Sequence, residues 1–355
     1  MDEATALVRL LRAYSPSGSE GLAVREFIRV AREFGYAARL DAVGNGIARR
    51  GRGRPRIAFL GHIDTVPGRR PVRHAGGRIS GRGAVDAKGP LAAALAAGAR
   101  FRGPGALEVI AAIGEETDSR GARHLVGRRG YAAVIAGEPS RWDGITIGYK
   151  GDLRLTAEFR GRRAHLSSPR PTVVDTALRW VEQVRALPSL SPGPSPFRTL
   201  TCKVVGVQSG GDDAEWASVT LDLRVPPGLA VPQVLRSLPR DSGQPRLTTL
   251  VRIEPIEVDR TNPVVRALEA GIRAQHGRPT LWRKSGTSDL NLVAPAWKVS
   301  GAAYGPGDPH LDHTAREWVS ERELARSVRV LDTAFHQLAR ELDPGVRAAD
   351  HPSTV

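Results

Sequence analysis

The 355-residue sequence contains a single cysteine, Cys202, a single methionine and only 5% aromatic residues. One cysteine excludes a disulfide framework within the chain and a metal cage built from thiolates. No run of about 18 apolar residues is present, which argues against a membrane-spanning helix. The N-terminal residues also lack the basic and apolar blocks of a secretory leader. From these absences we expect a cytoplasmic protein.

Acidic residues are scarce relative to basic ones: 37 Asp and Glu stand against 52 Lys and Arg, which gives a net charge of +15. A strongly positive protein attracts polyanions such as nucleic acid, an acidic membrane or an acidic protein. The arginines are spread over the whole chain, and no zinc finger, aromatic RNA-binding motif or helix-turn-helix accompanies them. We therefore expect neither nucleic acid nor a membrane as partner. A basic polyanion-binding module remains the alternative to an enzyme.

The length favours two domains, and the pattern over the first 150 residues is typical of an α/β domain with a mostly parallel central sheet. Apolar runs predict strands at Ile57–Leu60, Leu107–Ile113, Tyr131–Ala136 and, near the other end of the chain, Val299–Ala303. Helical patterns predict helices at Ala4–Ala13, Gly21–Phe34, Pro90–Phe101, Asn262–Ala274 and Ser320–Leu342. Pro90 suits a first helical position because no N–H is needed there.

The pattern changes after residue 150, where alternating apolar and polar residues predict a half-exposed strand around Leu153–Phe159. A helix at Val173–Leu187 and strands at Thr199–Val207 and Ser218–Val225 are predicted to follow. We predict an inserted α+β domain over 151–258, a catalytic domain formed by 1–150 and 259–345, and a flexible tail at 346–355.

Acidic and imidazole side chains follow the predicted strands. His62 and Asp64 follow the first strand, Glu115 and Glu116 the second, and Glu138 the third. Three further candidates lie in loops: Asp86 before the Pro90 helix, and His310 and His313 after the strand that ends at Ala303. In open α/β sheets ligands bind outside the carboxyl ends of the strands, so these groups can converge there.

Imidazoles and carboxylates without thiolates are the ligands of catalytic rather than structural zinc. Two adjacent ions need a bridging carboxylate and a shared water, and a further carboxylate must accept the proton of that water. Each pair of residues alone has an ordinary explanation as a hydrogen-bonded pair, a helix start or a turn. Their succession, each behind its own strand or turn, favours a catalytic centre.

Six segments together resemble the di-zinc aminoacylase and carboxypeptidase family: GHIDTVPG, GRGAVDAKGP, IGEETDSRGARHL, AGEPS, KSGTSDLN and YGPGDPHLDHTAREWV. They occur in the family's order and cover nearly the whole chain. The resemblance implies a zinc-peptidase-like catalytic domain with helices on both faces of its sheet. It also implies that the inserted domain serves as a lid and holds two subunits together in a homodimer.

The resemblance implies a role for each of these residues. Two divalent ions per subunit, zinc or alternatively cobalt, would be bound by His62, Asp86, Glu116, Glu138 and His313, with Asp86 as the bridge. Glu115 would be the general base, and Asp64 would orient His62 by a hydrogen bond. The family's last histidine usually stands four residues before a glutamate, here Glu317, which favours His313 and leaves His310 as the alternative.

The inserted domain carries a further implied residue. His165, in GRRAHLSSP, matches a histidine that reaches the partner subunit's active site and helps to hold the oxyanion. Arg224 and the run Gly286, Thr287 and Ser288, which ends at Asp289, are candidate contacts for a substrate carboxylate. A guanidinium suits a carboxylate, but Arg224 suits a structural aspartate equally well.

Within this family the chain most resembles the short, basic members that release lysine or ornithine from an acidic amino-group carrier protein in amino-acid biosynthesis. There the amino acid is attached by its α-amino group to the side chain of the carrier's C-terminal glutamate. A positive enzyme would steer such a partner. The alternatives are a small-molecule deacylase of the acetylornithine or succinyl-diaminopimelate type and a metallo-carboxypeptidase, in which the charge reflects composition alone.

Overall fold

A computed structural model describes residues 1–163, 165, 167–187, 190, 193–212, 214–240, 243–343 and 345. The chain forms two compact units. The first comprises Met1–Ile147, Val258–Trp282 and the residues from Ser288 onward, and the second comprises Gly148–Glu257 and Arg283–Thr287. The inserted domain predicted over 151–258 therefore corresponds to the larger part of the second unit. The predicted tail at 346–355 lies outside the described residues.

The described helices of the first unit are α1 Glu3–Arg12, α2 Gly21–Glu33, α3 Lys88–Gly98, α4 Arg120–Leu125, α7 Pro263–Ala274, α8 Leu290–Trp297 and α9 Glu321–Glu341. Those of the second unit are α5 Val173–Arg185 and α6 Val231–Ser237. The predicted helices are present, each with small shifts of its ends. Helix α3 begins at Lys88, so Pro90 occupies the third helical position, still within the turn that needs no N–H donor.

The strands of the first unit are β1 Ala37–Leu40, β2 Gly46–Gly51, β3 Arg56–His62, β4 Arg73–Ala75, β5 Arg78–Ser80, β6 Ala106–Ala112, β7 Ala133–Gly137, β15 Ser300–Ala303 and β16 Trp318–Ser320. Strands β9 Gly151–Arg162, β10 Thr201–Gly210, β11 Ala214–Val225, β12 Arg246–Ile253 and β13 Ile256–Glu257 belong to the second unit. Strands β8 Gly144–Tyr149 and β14 Thr280–Lys284 each cross a boundary between the units.

The central sheet of the first unit has the order β1-β2-β6-β3-β7-β15-β8. Strands β6, β3, β7 and β15 are parallel, whereas β1, β2 and β8 pair antiparallel at the two sides, so the sheet is mixed. The α/β fold class is confirmed, but the parallel part is confined to the four middle strands. Strands β3 and β6 are buried along their length, as expected for strands covered on both faces.

Alternate residues of the middle strands contact different helices. Phe59 and Val109 belong to one apolar core with side chains of α1, α2, α3, α7 and α9. Val134 faces the other way, because a Cβ built on Gly301 would meet both Val134 and Leu290 of α8. Helix α8 packs on α4, where the indole N–H of Trp297 donates to the carbonyl of Leu125 at 2.9 Å. Helices therefore cover both faces of the sheet.

The second unit contains an antiparallel sheet of order β10-β11-β9-β12. Its apolar face packs on α5 and α6 around the fully buried Trp180. Helix α5 begins with a capping box, in which Thr172 and Asp175 each accept a backbone N–H of the other. Alternation along β9 puts Leu155 and Phe159 in this core and Arg154 on the opposite face. The half-exposed strand predicted there is thus observed.

Among the described residues, no helix has both the length and the apolar composition that crossing a bilayer requires.

Candidate metal centre

The middle strands of the first unit end beside one another and deliver the candidate ligands. His62 is the last residue of β3 and is 2% exposed. Glu138 follows directly on β7, the parallel neighbour of β3. Glu115 and Glu116 follow β6 after Gly114, whose φ of 73° is readily reached by glycine and turns the chain there. The sheet thus brings these groups to one edge, as the sequence predicts.

Two groups of potential metal ligands meet at this edge. One consists of His62, Asp86 and Glu138, and the other of Asp86, Glu116 and His313. Within each group the ligand atoms all lie within 4.8 Å of one another. Asp86 belongs to both groups, which is the arrangement that a carboxylate bridging two ions requires. The structure therefore brings together all five residues for which the family resemblance implies ligation.

Hydrogen bonds join the two groups through Asp86. The Nε2 of His62 lies 2.9 Å from Asp86 Oδ1, and the Nε2 of His313 lies 3.1 Å from Asp86 Oδ2. His313 Nε2 also lies 3.0 Å from Glu116 Oε1. These hydrogen bonds to Asp86 and Glu116 raise the pKa of His313 to about 10. Burial opposes ionisation of Asp86, but the two imidazoles outweigh it and hold the pKa of Asp86 well below its usual range.

The structure distinguishes the two histidines near the C-terminal end. His310 has an 82% exposed side chain and contacts Asp308 at 2.8 Å, and it belongs to neither ligand group. His313 points its Nε2 at Asp86 and Glu116 from a left-handed backbone conformation, with φ 59°. The geometry therefore favours His313 over His310.

The carboxylate of Asp64 is fully buried and positions the segment that follows β6. Its Oδ1 accepts the amide N–H of Glu115 and its Oδ2 that of Glu116, both at 3.1 Å. Ser17 Oγ donates to the same carboxylate at 2.7 Å. His62 Nδ1 lies 3.0 Å from the backbone carbonyl of Asp64 and 3.6 Å from its carboxylate. Both the carbonyl and the carboxylate of Asp64 thus lie near His62 Nδ1, the carbonyl at the shorter distance, and the orienting role of the side chain stays a prediction.

Glu317 organises the loop that carries Asp86. Its Oε1 accepts the amide N–H groups of Gly83, Val85 and Asp86 at 2.9, 3.0 and 3.1 Å. Its Oε2 accepts from the guanidinium of Arg82 at 3.0 Å, and both side chains are buried. From the sequence alone, Glu317 served only to distinguish His313 from His310. The spacing of four residues from His313 was the available signal for this second role.

Glu115 belongs to neither ligand group, but its half-buried side chain interacts electrostatically with His62, Asp86 and Glu138 of those groups. Burial raises the pKa of the Glu115 carboxyl well above its usual range, and the neighbouring charges of Glu138 and Asp289 raise it further. A raised pKa suits a group that must take a proton from water and later release it.

Asp289 ends the run that begins at Gly286, and the sequence pattern alone predicts no role for it. It is 4% exposed, and burial raises the pKa of its carboxyl to about 7. Its charge interacts with His62 and with Glu115. The structure therefore adds Asp289 to the electrostatic surroundings of the candidate general base.

The predicted substrate contacts are divided between the two units. Ser288 lies in the first unit, 3% exposed, and its hydroxyl accepts the N–H of Leu290 at 3.2 Å at the start of α8. Gly286 and Thr287 lie in the second unit. Arg224, also in the second unit, donates two hydrogen bonds to Asp222 at 2.8 and 3.0 Å. Its guanidinium thus has a structural aspartate partner, the alternative to a substrate carboxylate.

His165 lies in the second unit and is exposed. Its Nδ1 lies 2.7 Å from the hydroxyl of Ser167. A contact with a partner subunit's site remains a prediction.

Residues 58–337 match the family model described as peptidase family M20/M25/M40. The chain belongs to this family. Proteins of the M20 family are metal-dependent hydrolases of amide bonds, so the chain is a metal-dependent amide hydrolase, and the ligand groups around Asp86 agree with that chemistry.

Several full-length M20 relatives are similar to this chain. A Thermococcus kodakarensis protein is 38% identical over 94% of this chain and 91% of its own length, and it is provisionally named a LysW-lysine/LysW-ornithine hydrolase. The Deinococcus radiodurans LysW-lysine hydrolase is 35% identical over 94% of this chain and 97% of its own. The Sulfurisphaera tokodaii LysW-lysine/LysW-ornithine hydrolase is 32% identical over 94% of each.

Solved M20-type structures share the fold. Aminopeptidase PepT from Bacillus cereus superimposes with a TM-score of 0.78 at 17% identity, covering 95% of this chain and 98% of its own. The metallo-carboxypeptidase Sso-CP2 from Sulfolobus solfataricus gives a TM-score of 0.74 at 16% identity, covering 96% and 100%. These likenesses establish the zinc-peptidase-like fold.

Proposed function

We propose that this M20 hydrolase releases lysine, ornithine or both from the C-terminal glutamate side chain of an acidic amino-group carrier protein in amino-acid biosynthesis. The chemistry rests on one observation, the two ligand groups that share Asp86. In this proposal the enzyme works in the cytoplasm as a homodimer, with two divalent ions in each subunit.

The donor set fits such ions. Each group offers one imidazole nitrogen and two carboxylates, and neither group contains a cysteine. This set of ligands suits catalytic zinc and also accommodates cobalt. In the first group the ligands would be His62 and Glu138, in the second Glu116 and His313, and Asp86 would belong to both. Bound divalent ions would polarise the scissile amide carbonyl and lower the pKa of a shared water toward neutrality.

The chain's own residues then move the proton. Glu115 takes the proton from the attacking water and returns it to the departing α-amino group, so one carboxyl acts first as base and then as acid. Its raised pKa supports the second step, since a carboxyl that binds its proton more tightly than usual can carry that proton to the departing amine. Asp64 holds the Glu115 and Glu116 amides at 3.1 Å and so fixes the base relative to the ligands.

His165 has the part in this proposal that the family resemblance implies. From the inserted domain of one subunit it would enter the site of the partner and donate a hydrogen bond to the oxyanion. Its exposure supports this role, because among the described residues the hydrogen bonds of its ring go only to Ser167 of the same segment. The homodimer is proposed on the same ground.

Two observations support the carrier as substrate. The relatives named as LysW-lysine hydrolases align with 94% of this chain, so the comparison includes the inserted domain as well as the catalytic one. The net charge of +15 would accelerate the encounter with an acidic protein. A small uncharged or singly charged substrate would gain little from such a field.

The decisive experiment compares two reactions of the purified, metal-loaded enzyme. We expect kcat/KM for release of lysine or ornithine from the carrier conjugate to exceed kcat/KM for release of acetate from acetylornithine. A higher efficiency on the acetylated amino acid would assign the chain to the small-molecule deacylases instead. Release of C-terminal residues from unmodified peptides at higher efficiency would assign it to the carboxypeptidases.

A further inference from the structure

A concentration of arginines borders the candidate metal centre in the first unit. A cavity of about 500 Å3 is lined by Arg70, Arg73, Arg78, Arg316, Glu317 and Trp318, among others. A second cavity of about 260 Å3 shares Arg70 with it and adds Arg12, Arg69 and Arg82. We call the six exposed arginines of these two cavities the arginine groove: Arg12, Arg69, Arg70, Arg73, Arg78 and Arg316.

The charges of the arginine groove are uncompensated. Among the described residues, none of its six arginines lies within 4.0 Å of a carboxylate, although many other arginines of the chain do, such as Arg9 and Arg141. The acidic residue in the two linings is Glu317, which is buried and already paired with Arg82. Unpaired guanidinium groups along one concave wall produce a local positive field and leave their N–H donors for an external acceptor.

The groove adjoins the reacting site through Glu317. Glu317 is among the residues that line the larger cavity, and its Oε1 accepts the amide N–H of Asp86 at 3.1 Å. Arg316 is three residues from His313 along the chain. A partner lying in the groove would therefore be close to the metal ligands, within reach of a short extended segment of chain.

The location and charge together identify the kind of partner. In the proposed reaction the scissile amide sits on a side chain at the end of a protein, so the body of that protein must rest near the mouth of the site. An acidic protein surface would supply carboxylates to guanidinium groups that have none of their own. Nucleic acid fits less well, because base stacking needs open aromatic faces. Of the two aromatic residues in the linings, Trp318 is covered by Arg78 at 4.2 Å, and Tyr14 is half-buried with its hydroxyl accepting the N–H of Gly68.

We infer that the arginine groove is the docking surface for the acidic face of the carrier protein. This inference rests on the proposed function and adds to it the surface that recognises the substrate's protein part. Docking there would hold the conjugated amino acid at the metal centre and increase its effective concentration. Selectivity for the carrier over free acylated amino acids would then come from the groove and not from the ligand groups.

The test first compares three forms of the enzyme, to which a milder variant is added below: the wild type, the groove variant Arg70→Glu with Arg73→Glu and Arg78→Glu, and a matched control. The control, Arg52→Glu with Arg54→Glu and Arg100→Glu, changes the net charge equally. Arg52 and Arg54 precede β3, and Arg100 follows α3, so these exposed residues lie at the opposite edge of the sheet from His62. Binding of fluorescently labelled carrier protein without its amino acid is measured by anisotropy at low and high salt.

We expect the groove variant to raise the Kd for the carrier about tenfold or more at ~0.1 M salt and to flatten its salt dependence. The control should keep a Kd and a salt dependence close to those of the wild type. Arg70→Gln with Arg73→Gln, which leaves the Arg78–Trp318 stack intact, should give a smaller loss in the same direction. A thermal melt of each variant identifies any loss caused by unfolding.

Three results would overturn the inference in distinguishable ways. If wild type, groove variant and control bind the carrier equally, the docking surface is elsewhere and the proposed function stands. If the wild type neither binds the carrier nor hydrolyses its lysine conjugate, the proposed function fails and the inference fails with it. If a 20-nucleotide single-stranded DNA binds the wild type more tightly than the carrier does and only the groove variant loses that binding, the groove serves nucleic acid.

Discussion

The carboxylate of Glu317 accepts the amide N–H of Asp86 at 3.1 Å, so one acidic side chain fixes the loop that carries another. Glu317→Gln removes the ion pair with Arg82 and weakens the acceptor for three amides. We expect metal affinity to fall about 10–100-fold, as for other groups that orient ligands, while kcat at saturating metal changes little. Competition with a chelator measures the affinity.

The control for this substitution is Glu321→Gln, four residues further along at the start of α9. Glu321 contacts His74 at 2.5 Å and no member of the ligand groups. It should leave metal affinity unchanged. Equal metal affinities of the Glu317→Gln and Glu321→Gln variants would show that metal binding by Asp86 does not depend on the hydrogen bonds between Glu317 and its loop.

His313→Ala and His310→Ala test which histidine is the last ligand. Because His313 lies 3.0 and 3.1 Å from the two carboxylates of its group, we expect its removal to lower the metal content by about one ion per chain and to reduce kcat/KM about 100-fold or more. His310→Ala should retain both metal and activity, since its side chain is 82% exposed. Elemental analysis by mass spectrometry gives the metal content. The opposite pattern would return the ligand role to His310.

Asp289→Asn tests the electrostatic surroundings of the base. Above its own pKa of about 7 Asp289 is negatively charged and raises the pKa of Glu115, so a neutral residue there lets Glu115 lose its proton at lower pH. Activity needs Glu115 deprotonated, and the acid limb of the kcat profile should therefore move down by about half a unit to one unit. Asp118→Asn serves as control, because Asp118 is an exposed carboxylate on the loop that carries Glu115. An acid limb that stays in place or moves upward would rule out this coupling.

Arg224→Met tests whether this guanidinium is structural. Burial raises the pKa of Asp152 above its ordinary value of 3.8, and Arg224 at 3.6 Å counteracts part of that rise. Asp152 therefore keeps its proton up to a higher pH in the folded chain than in the unfolded chain. Without Arg224 the pKa of Asp152 in the folded chain would rise further, which widens the pH range over which the two states differ. The variant should thus lose stability as pH rises above about 4, by about 2 kcal/mol at pH 8 and less at pH 5.

Urea unfolding at the two pH values checks the Arg224→Met prediction. Arg160→Met, on the neighbouring strand β9 of the same sheet, is the control. Arg160 is exposed and has no carboxylate partner within 4.0 Å among the described residues. An unchanged stability together with an increased KM would instead identify Arg224 as a substrate contact.

Much of the site can be predicted from sequence because its ligands follow buried strands. Runs such as Ile57–Leu60, which precedes His62, are apolar, so both the strand and its carboxyl end are visible in the sequence. Parallel neighbours share one edge, which explains why His62 and Glu138 meet although 76 residues separate them (138 minus 62).

The supporting contacts could not be predicted in this way. Glu317 reaches Gly83 across 234 residues, and that contact depends on two loops packing together and not on any local pattern. Helix α8 contains Pro295, and a proline inside a helix argues against a helix in the sequence. Strand β12 is an edge strand of largely exposed residues, without a clear alternation of buried and exposed positions. Asp289 gained its role only when burial placed its charge beside Glu115.

The metal content of the purified wild type and of Glu115→Gln, measured with their turnover of the lysine conjugate, tests the central claim most directly. Both proteins should bind two divalent ions per chain, because Glu115 belongs to neither ligand group. Turnover of Glu115→Gln should nevertheless fall about 1,000-fold, since no other group replaces the base. Fewer than one ion per chain in the zinc-grown wild type, or wild-type turnover in Glu115→Gln, would contradict a two-metal hydrolase that uses Glu115.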